Sequence, residues 1–223
     1  MVWIVKCLSI SQCLGPLPHE MFEDRKRVFV DLLRWNVPVS EGRYEIDQFD
    51  DEYAIYLIVE DGNGRHLGSA RLLQTSRPHI LGSLYPHLCD TEVPHGDSTV
   101  EITRFCLSPR ITAQERKRVR QSLVSAFVVY AIMTGIKTYT GVANNQWFKQ
   151  IVNFGWDCEP LSCQNSTAYT DLIAFKIAIT EQTIHLLQQS GMFTEDTLQM
   201  LQSGPQAEQK HVSNVAQECE HAI

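Results

Sequence analysis

The stretch TAQERKRVRQSLVSAFVVYAIMTG, residues 112–135, limits what this chain can fold into more than any other. Thr112 and Glu115 stand at the spacing at which two side chains cap each other's backbone N–H at a helix start, and Gly135 stands where a left-handed residue ends one. Between them Val119, Leu123, Phe127 and Tyr130 recur every three to four residues, so one face of the helix must be buried. VEITRFCLS (100–108) before it and IKTYTGV (136–142) after it read as strands. A long helix between two strands of one sheet is a crossover, and crossovers join parallel strands.

The elements around this unit fill out a mixed sheet. A strand at 2–10 precedes an amphipathic helix at 18–34, where Met21, Val28, Phe29, Leu32 and Leu33 fall at helical spacing. Residues 36–50 are irregular and polar. Strands at 53–60 and 66–75 flank DGNG, whose glycines and Asn suit a tight hairpin turn. Pro78 opens a short helix over 79–88, a helix follows at 144–155 and a long strand at 167–179, and EQTIHLLQQSG and TEDTLQMLQ read as one or two small helices. The polar, nearly aperiodic stretch from Ser203 reads as a flexible tail. The expectation is one α/β (α+β) domain over 1–202, a mixed central sheet flanked by helices, with a C-terminal tail over 203–223.

Charge and cysteine usage narrow the function classes. With 19 basic against 26 acidic residues the net charge is −7, which disfavours nucleic acid and anionic membranes as partners. MVWIVKCLSI has Lys6 inside its apolar stretch and no small-residue cleavage site after it, and no run reaches the roughly 18 to 20 apolar residues of a spanning helix, so a cytoplasmic location is expected. Seven cysteines without a C-x-x-C and eight His without ligand spacing suggest reduced thiols and no metal.

Several charges sit where a plain core has no use for them. Arg71 lies inside GSARLL, and Glu101 and Arg104 lie inside VEITRF; strand alternation puts Ile102 and Arg104 on one face and Glu101, Thr103 and Phe105 on the other. Charges inside apolar strands are costly unless paired. EIDQFDDEY supplies five carboxylates (Glu45, Asp47, Asp50, Asp51, Glu52) on the irregular segment, and Arg25 and Phe29 lie four apart on the first helix with Trp35 just past it. A cleft-lining ionic cluster with aromatics beside it, suited to a zwitterionic or cationic substrate, is one reading; a structural ion network is the other.

Arg25–Phe29–Trp35, EIDQFD, GSARLL and EITRFC, in that order and at these separations, resemble the signature of the acyl-homoserine-lactone synthases of the LuxI type. The likeness covers residues 20 to 110 by motif and extends to about 180 by element order. It implies a fold similar to the GNAT acyltransferases. It implies a reaction in which the amine of S-adenosylmethionine takes an acyl group from acyl carrier protein, the methionine carboxylate closes on its own side chain, and 5′-methylthioadenosine leaves. S-adenosylmethionine is then a substrate, and no cofactor is expected. Its cationic groups suit Asp47 and Asp50. Arg25 and Arg71 either pair with its carboxylate or order the acids, and Phe29 and Trp35 pack on adenine or sulfonium. Glu101 is the candidate general base. Arg104 orients the acids or the phosphopantetheine arm, and backbone N–H groups at 104–106 are candidates for the oxyanion. Asp51 and Glu52 read as ordinary solvated charges.

An acyl pocket is expected between the sheet and the long helix, from Leu81, Tyr85, Phe105, Leu123, Phe127 and Trp147. Arg110, Arg116, Lys117, Arg118 and Arg120 form the one clear basic cluster, a docking surface for an acidic carrier. The strand-to-helix junction SPRITAQ has no glycine for a pyrophosphate loop, which favours the carrier over coenzyme A; Trp147 matches one of a Trp pair in relatives that use coenzyme A thioesters. Gln74, Tyr85 and Leu33-Arg34 depart from the family's usual residues. An N-acetyltransferase of the same fold and a non-catalytic S-adenosylmethionine binder are the competing readings.

Overall fold

A computed structural model describes residues 1–6, 16–162, 171–195 and 198–202. The predicted tail over 203–223, positions 7–10 of the predicted first strand and the start of the 167–179 strand lie outside them, as do Cys7, Cys13, Cys163 and Cys219. In chain order the elements are β1 Val2–Lys6; α1 Pro16–Arg25, which runs straight into π-helical turns over Lys26–Leu32; the short β2 Val39–Ser40 and β3 Tyr44–Glu45; β4 Ile55–Glu60; β5 His66–Gln74; α2 Ile80–Leu84 with a 3-10 turn at Pro86–Leu88; β6 Thr99–Leu107; α3 Ala113–Thr134; β7 Thr138–Asn144; α4 Asn145–Val152; β8 Asp157–Pro160; β9 Leu172–Ala178; α5 Thr183–Gln189; and β10 Leu198–Gln202.

Among the described residues eight strands form one mixed sheet in the order β10-β1-β4-β5-β6-β7-β9-β8, antiparallel except for β1 with β10 and β6 with β7. Alternation along the strands divides the core. Ile4, Leu57 and Leu72 face α3 and pack with Leu123, Phe127 and Tyr130, while Val5, Tyr56, Ile58 and Leu73 face α1 and pack with Met21 and Phe22. The predicted capping box forms, with Glu115 N–H donating to Thr112 Oγ1 and Thr112 N–H to Glu115 Oε2, and Gly135 ends α3 at φ 75°. In the hairpin turn Asp61 Oδ1 accepts from the N–H groups of Asn63 and Arg65, and Gly62 and Gly64 take positive φ. None of the described helices is long and apolar enough to cross a membrane.

Three local expectations fail for physical reasons. TEDTLQMLQ ends not in a second small helix but in β10, which lies parallel to β1; a five-residue LQMLQ fits either state, and sheet pairing decides. The helix expected over 79–88 breaks after Leu84, because Pro86 has no N–H to continue it and starts a 3-10 turn instead. The strict alternation expected of β6 is interrupted: Leu107 and Cys106 oppose Gly68 and Ser69, whereas Thr103 opposes Arg71, so Arg104 and Phe105 together face Ala70. This bulge holds Arg104 at φ 49°. It rotates Arg104 onto the α1 face beside Thr103 and sends Phe105 to the α3 face, where Ile102 also packs, the reverse of the predicted assignment.

The bulge also parts the sheet. β6 and β7 pair only from Thr99–Glu101 to Thr138–Thr140, and beyond those residues the strands diverge. At the parting a Cβ on Gly141 would stand 2.7 Å from the Phe175 ring and 3.1 Å from the Ile102 carbonyl, so only glycine fits.

Candidate active site

On the α1 face three arginines and three carboxylates close a ring of alternating charge. Arg25, the last residue of α1, donates Nε to Glu45 Oε2 at 2.6 Å and its two terminal nitrogens to Asp50 at 2.8 and 2.9 Å. Arg71 on β5 reaches Asp50 Oδ1 at 2.8 Å, donates to both Asp47 oxygens at 2.6 and 3.1 Å, and gives Nε to Thr103 Oγ1. Arg104 closes the circuit from Asp47, at 2.7 Å, to Glu45, at 3.0 Å. Burial alone would raise the Asp50 carboxyl, but Arg25 and Arg71 outweigh it and hold Asp50 well below the usual carboxylate range. Asp50 further accepts from Tyr56 Oη and Asp47 N–H.

Arg25, Asp47, Asp50, Arg71 and Arg104, singled out in the sequence, come together here, and Arg25 and Arg71 both pair with the acids. It missed Glu45, fully buried and bridging Arg25 to Arg104, although Glu45 is the first letter of the same EIDQFD motif. Asp51 and Glu52 are exposed as expected; Asp51 merely caps the N–H groups of Tyr53 and Ala54.

Glu101 shares the face of Thr103 but has no surface. Its Oε2 accepts from Ile80 N–H at 2.7 Å and its Oε1 from Leu81 N–H at 2.9 Å, so the carboxylate anchors the start of α2. Burial pushes its carboxyl up to about 7 against the pull of those two N–H groups and of Arg71 and Arg104.

A cavity of about 390 Å³ opens at the parting of β6 and β7. Thr103 and Arg104 reach it from the α1 side, with Phe29 and Trp35. These two rings stack at 4.8 Å and 15°, and Arg104 lies over Phe29 at 5.6 Å. The wide π-helical turns, with Leu33 N–H donating to Val28 C=O and Trp35 N–H to Phe29 C=O, and Arg34 at φ 60° fold Trp35 back over Phe29. The same turns swing Leu32 and Leu33 out to the cavity rim, where both are exposed, rather than into the buried stripe the helical spacing predicted. On the α3 side Phe105, Phe127 and Trp147 line the cavity as predicted, Trp147 lying 5.2 Å from Phe105 and 5.9 Å from Phe154. Leu81, Tyr85 and Leu123 do not. Leu81 packs with Leu88 and Ala174, Tyr85 lies beside them, and Leu123 is turned into the main core.

The basic cluster divides. Arg110, itself exposed, pairs with Glu20 at 3.4 Å and with the buried Asp24 at 3.0 Å, which also holds the buried His66 Nδ1 at 2.9 Å. Lys117 and Arg118 are exposed, while Arg116 and Arg120 are half-buried and line the cavity. Only two of the five predicted docking residues therefore stand on open surface without a carboxylate partner among the described residues.

The geometry so far is a charged ring facing an aromatic cavity through a parted sheet, and comparison with known proteins places it. The model of the autoinducer synthase family matches residues 15–187. The chain belongs to the autoinducer synthase family. It is therefore an acyltransferase. An acyl-homoserine-lactone synthase of Rhizobium etli is 34% identical over 146 residues, 64% of this chain and 68% of that protein; matches to two Ralstonia synthases span 41% of those proteins. The structure of TofI in a ternary complex with an inhibitor and MTA is 26% identical, with a TM-score of 0.68, over 84% of this chain and 96% of that one. The fold is shared with BjaI, a coenzyme A-dependent acyl-homoserine lactone synthase solved with SAM and isopentyl-CoA, at 23% identity and a TM-score of 0.74 over 93% and 95% of the two chains. It extends at 12% identity and a TM-score of 0.50, over 81% and 98% of the two chains, to a Lactobacillus plantarum protein assigned as an N-acetyltransferase, in keeping with the expected acyltransferase fold.

Proposed function

We propose that this autoinducer synthase acylates the amine of S-adenosylmethionine from an acyl carrier protein thioester and then closes the lactone, releasing 5′-methylthioadenosine. The observation that carries the reading is that the charged ring meets the aromatic cavity at Arg104, Phe29 and Trp35. A sulfonium is stabilised over the faces of Phe29 and Trp35. Arg104 spends Nε and Nη2 on Glu45 and Asp47, which leaves Nη1 to hold the methionine carboxylate. Asp47, whose side chain alone among the ring acids keeps some exposure, 5% against 0% for Asp50 and Glu45, is assigned to the ammonium, whereas Asp50, enclosed by Arg25, Arg71 and Tyr56, positions the ring.

In the acyl-transfer step the bound ammonium first loses one proton, the lone pair of the neutral amine then attacks the thioester carbonyl, the carbonyl oxygen gains charge, and the sulfur leaves as the thiol with the second nitrogen proton. Glu101 takes the first proton. Its carboxyl titrates near neutrality, and because its oxygens already accept from Ile80 and Leu81 the proton arrives through one bridging water. The free edge of β6 beyond Glu101 offers backbone N–H groups at 104–106 to the oxyanion. The carboxylate then attacks its own γ-carbon, where the sulfonium is already a good leaving group and positioning supplies the rate.

A coenzyme A thioester is the second reading, favoured by Trp147 in the cavity wall and by the coenzyme A dependence of BjaI. Mass spectrometry of lipophilic extracts from a host expressing the chain tests the reaction, with Glu101→Gln as control. An acyl-homoserine lactone lost in the variant supports it. No lactone from folded protein supplied with varied acyl precursors removes it in favour of a binding role.

A further inference from the structure

The side-chain oxygen of Thr140, on β7, is fully buried and has no hydrogen-bond partner among the described residues. A buried hydroxyl left without a partner is unfavourable. Its place in the sheet is specific. Thr140 stands opposite Glu101 in the parallel pairing of β6 with β7, on the last rung before the two strands part. Residues opposite one another in a sheet present their side chains to the same face, and α2 packs over both strands there. The Thr140 hydroxyl and the Glu101 carboxylate therefore share the space beneath α2. Glu101 is drawn towards the start of that helix by the N–H groups of Ile80 and Leu81, one on each oxygen. An ionised carboxylate oxygen accepts two hydrogen bonds, so each keeps one acceptor site free. Neighbouring strands lie about 4.8 Å apart, within reach of a single water bonded to both side chains.

The neighbours of Thr140 say which substrate group such a water can serve. Gly141, the next residue, faces the other way, against Phe175 and the Ile102 carbonyl on the cavity side, and Thr140 itself does not line the cavity. Thr140 thus meets no part of an acyl group. Thr103, two residues along β6 from Glu101 and on the same face, does line the cavity and is bonded to Arg71, so this face runs on to the charged ring. Resting on the acyl-transfer reading above, in which Glu101 takes the first ammonium proton through one water, we infer that Thr140 is the positioning residue that holds and orients that water. The water gives one hydrogen to a Glu101 oxygen and the other to Thr140 Oγ1, which leaves a lone pair of its own oxygen turned towards the ammonium. As the ammonium N–H bond breaks, the water oxygen takes that proton, and the O–H bond aimed at Glu101 passes its own proton to the carboxylate. The water is regenerated and the amine is left neutral. Buried waters are held by about three hydrogen bonds, and Thr140 supplies the one that neither Glu101 nor the substrate provides.

The test compares Thr140→Val, which replaces the hydroxyl by a methyl of the same shape, with Thr140→Ser, which keeps it, each first checked for a native melting transition. Thr140→Val lowers kcat about tenfold to a hundredfold, as the loss of one hydrogen bond to a charged relay allows, and leaves KM for S-adenosylmethionine and for the acyl donor unchanged. Thr140→Ser recovers most of kcat. An unchanged kcat in Thr140→Val, equal losses in the two variants, or a rise in either KM overturns the assignment. Diffraction from wild-type and Thr140→Val crystals looks for the water without any turnover, and in wild type alone it is expected within about 3.2 Å of both Thr140 Oγ1 and a Glu101 oxygen. Its absence from wild type overturns the inference as well. A water on these two side chains in a protein that makes no lactone sustains the site and removes the synthase reaction instead.

Discussion

Replacing Glu45 by Gln keeps the shape of the charged ring and removes one of its six charges. Glu45 is fully buried and accepts from Arg25 Nε at 2.6 Å and from Arg104 Nη2 at 3.0 Å, so the variant leaves a net positive charge where no ring side chain is more than 10% exposed. The amide nitrogen can accept from neither guanidinium. Breaking a buried pair from one side costs about 3–5 kcal/mol, and the retained carbonyl places this case near about 3. For a domain of this size each kcal/mol lowers Tm by about 2–4 °C, which gives a drop of about 6–12 °C. Scanning calorimetry and urea unfolding at pH 7 read it, the urea slope staying constant because the surface exposed on unfolding is unchanged. Adding Arg104→Gln restores neutrality, so the double variant should be more stable than the sum of the singles by over about 1 kcal/mol. A loss under about 1 kcal/mol in Glu45→Gln, or strict additivity, would refute the ring as a mutually dependent unit.

Glu101 has a folded value of about 7 against an ordinary 4.5, so the folded state holds an extra proton between the two. Stability should therefore fall as pH rises from 4.5 to 7, by about 3 kcal/mol, and level off above, a slope that urea titrations will find missing in Glu101→Gln. In the same range kcat should climb to a plateau above about pH 7 as the base deprotonates, with the variant lowered about 10²–10⁴-fold. Asp50 is displaced the other way: its stabilisation is complete above the ordinary carboxylate range and fades as pH falls below about 4, so Asp50→Asn should lose stability at pH 7 and show a flatter acid limb by circular dichroism. Trp147→Ala removes an aromatic wall beside Phe105 and Phe154, and the product profile by mass spectrometry should move towards bulkier acyl groups; an unchanged profile would take Trp147 out of the acyl pocket.

How far the sequence could be read depended on whether a feature is local. The capping box at Thr112 and Glu115 and the Gly-rich hairpin turn depend on neighbours within four residues, and both form as read. Arg71, Glu101 and Arg104 declared themselves by being charges in apolar strands, which is an energetic anomaly visible without a fold. What pairs with them was harder. Glu45 looked like one acid among five, and only the fold shows that it, rather than Asp51 or Glu52, points inward between Arg25 and Arg104. The bulge at Arg104 left no mark, since no glycine signals its φ of 49°, and strict alternation therefore put Arg104 and Phe105 on the wrong faces. The π-helical turns were equally silent, because Leu32 and Leu33 keep an apolar helical pattern while facing the cavity rim. Leu81 and Leu123 were assigned to the acyl pocket on hydrophobicity alone, a property they share with every other core residue.

The closed ring also bears on how such an enzyme can diversify. Each of its six members answers to two others, so a single change there is penalised until a second one compensates it, and drift must proceed through paired steps. The aromatic wall on the other face of β6 carries no such obligation. Phe105, Phe127 or Trp147 can change volume one at a time, at the modest expense of ordinary repacking. Because the bulge brings Arg104 to the face of its neighbour Thr103 and leaves Phe105 on the other, a change in the aromatic wall leaves the ring's own contacts untouched. On the proposed reaction, a lineage built on this sheet can alter the acyl group of the signal it emits while the ring that serves the common half of that signal stays fixed.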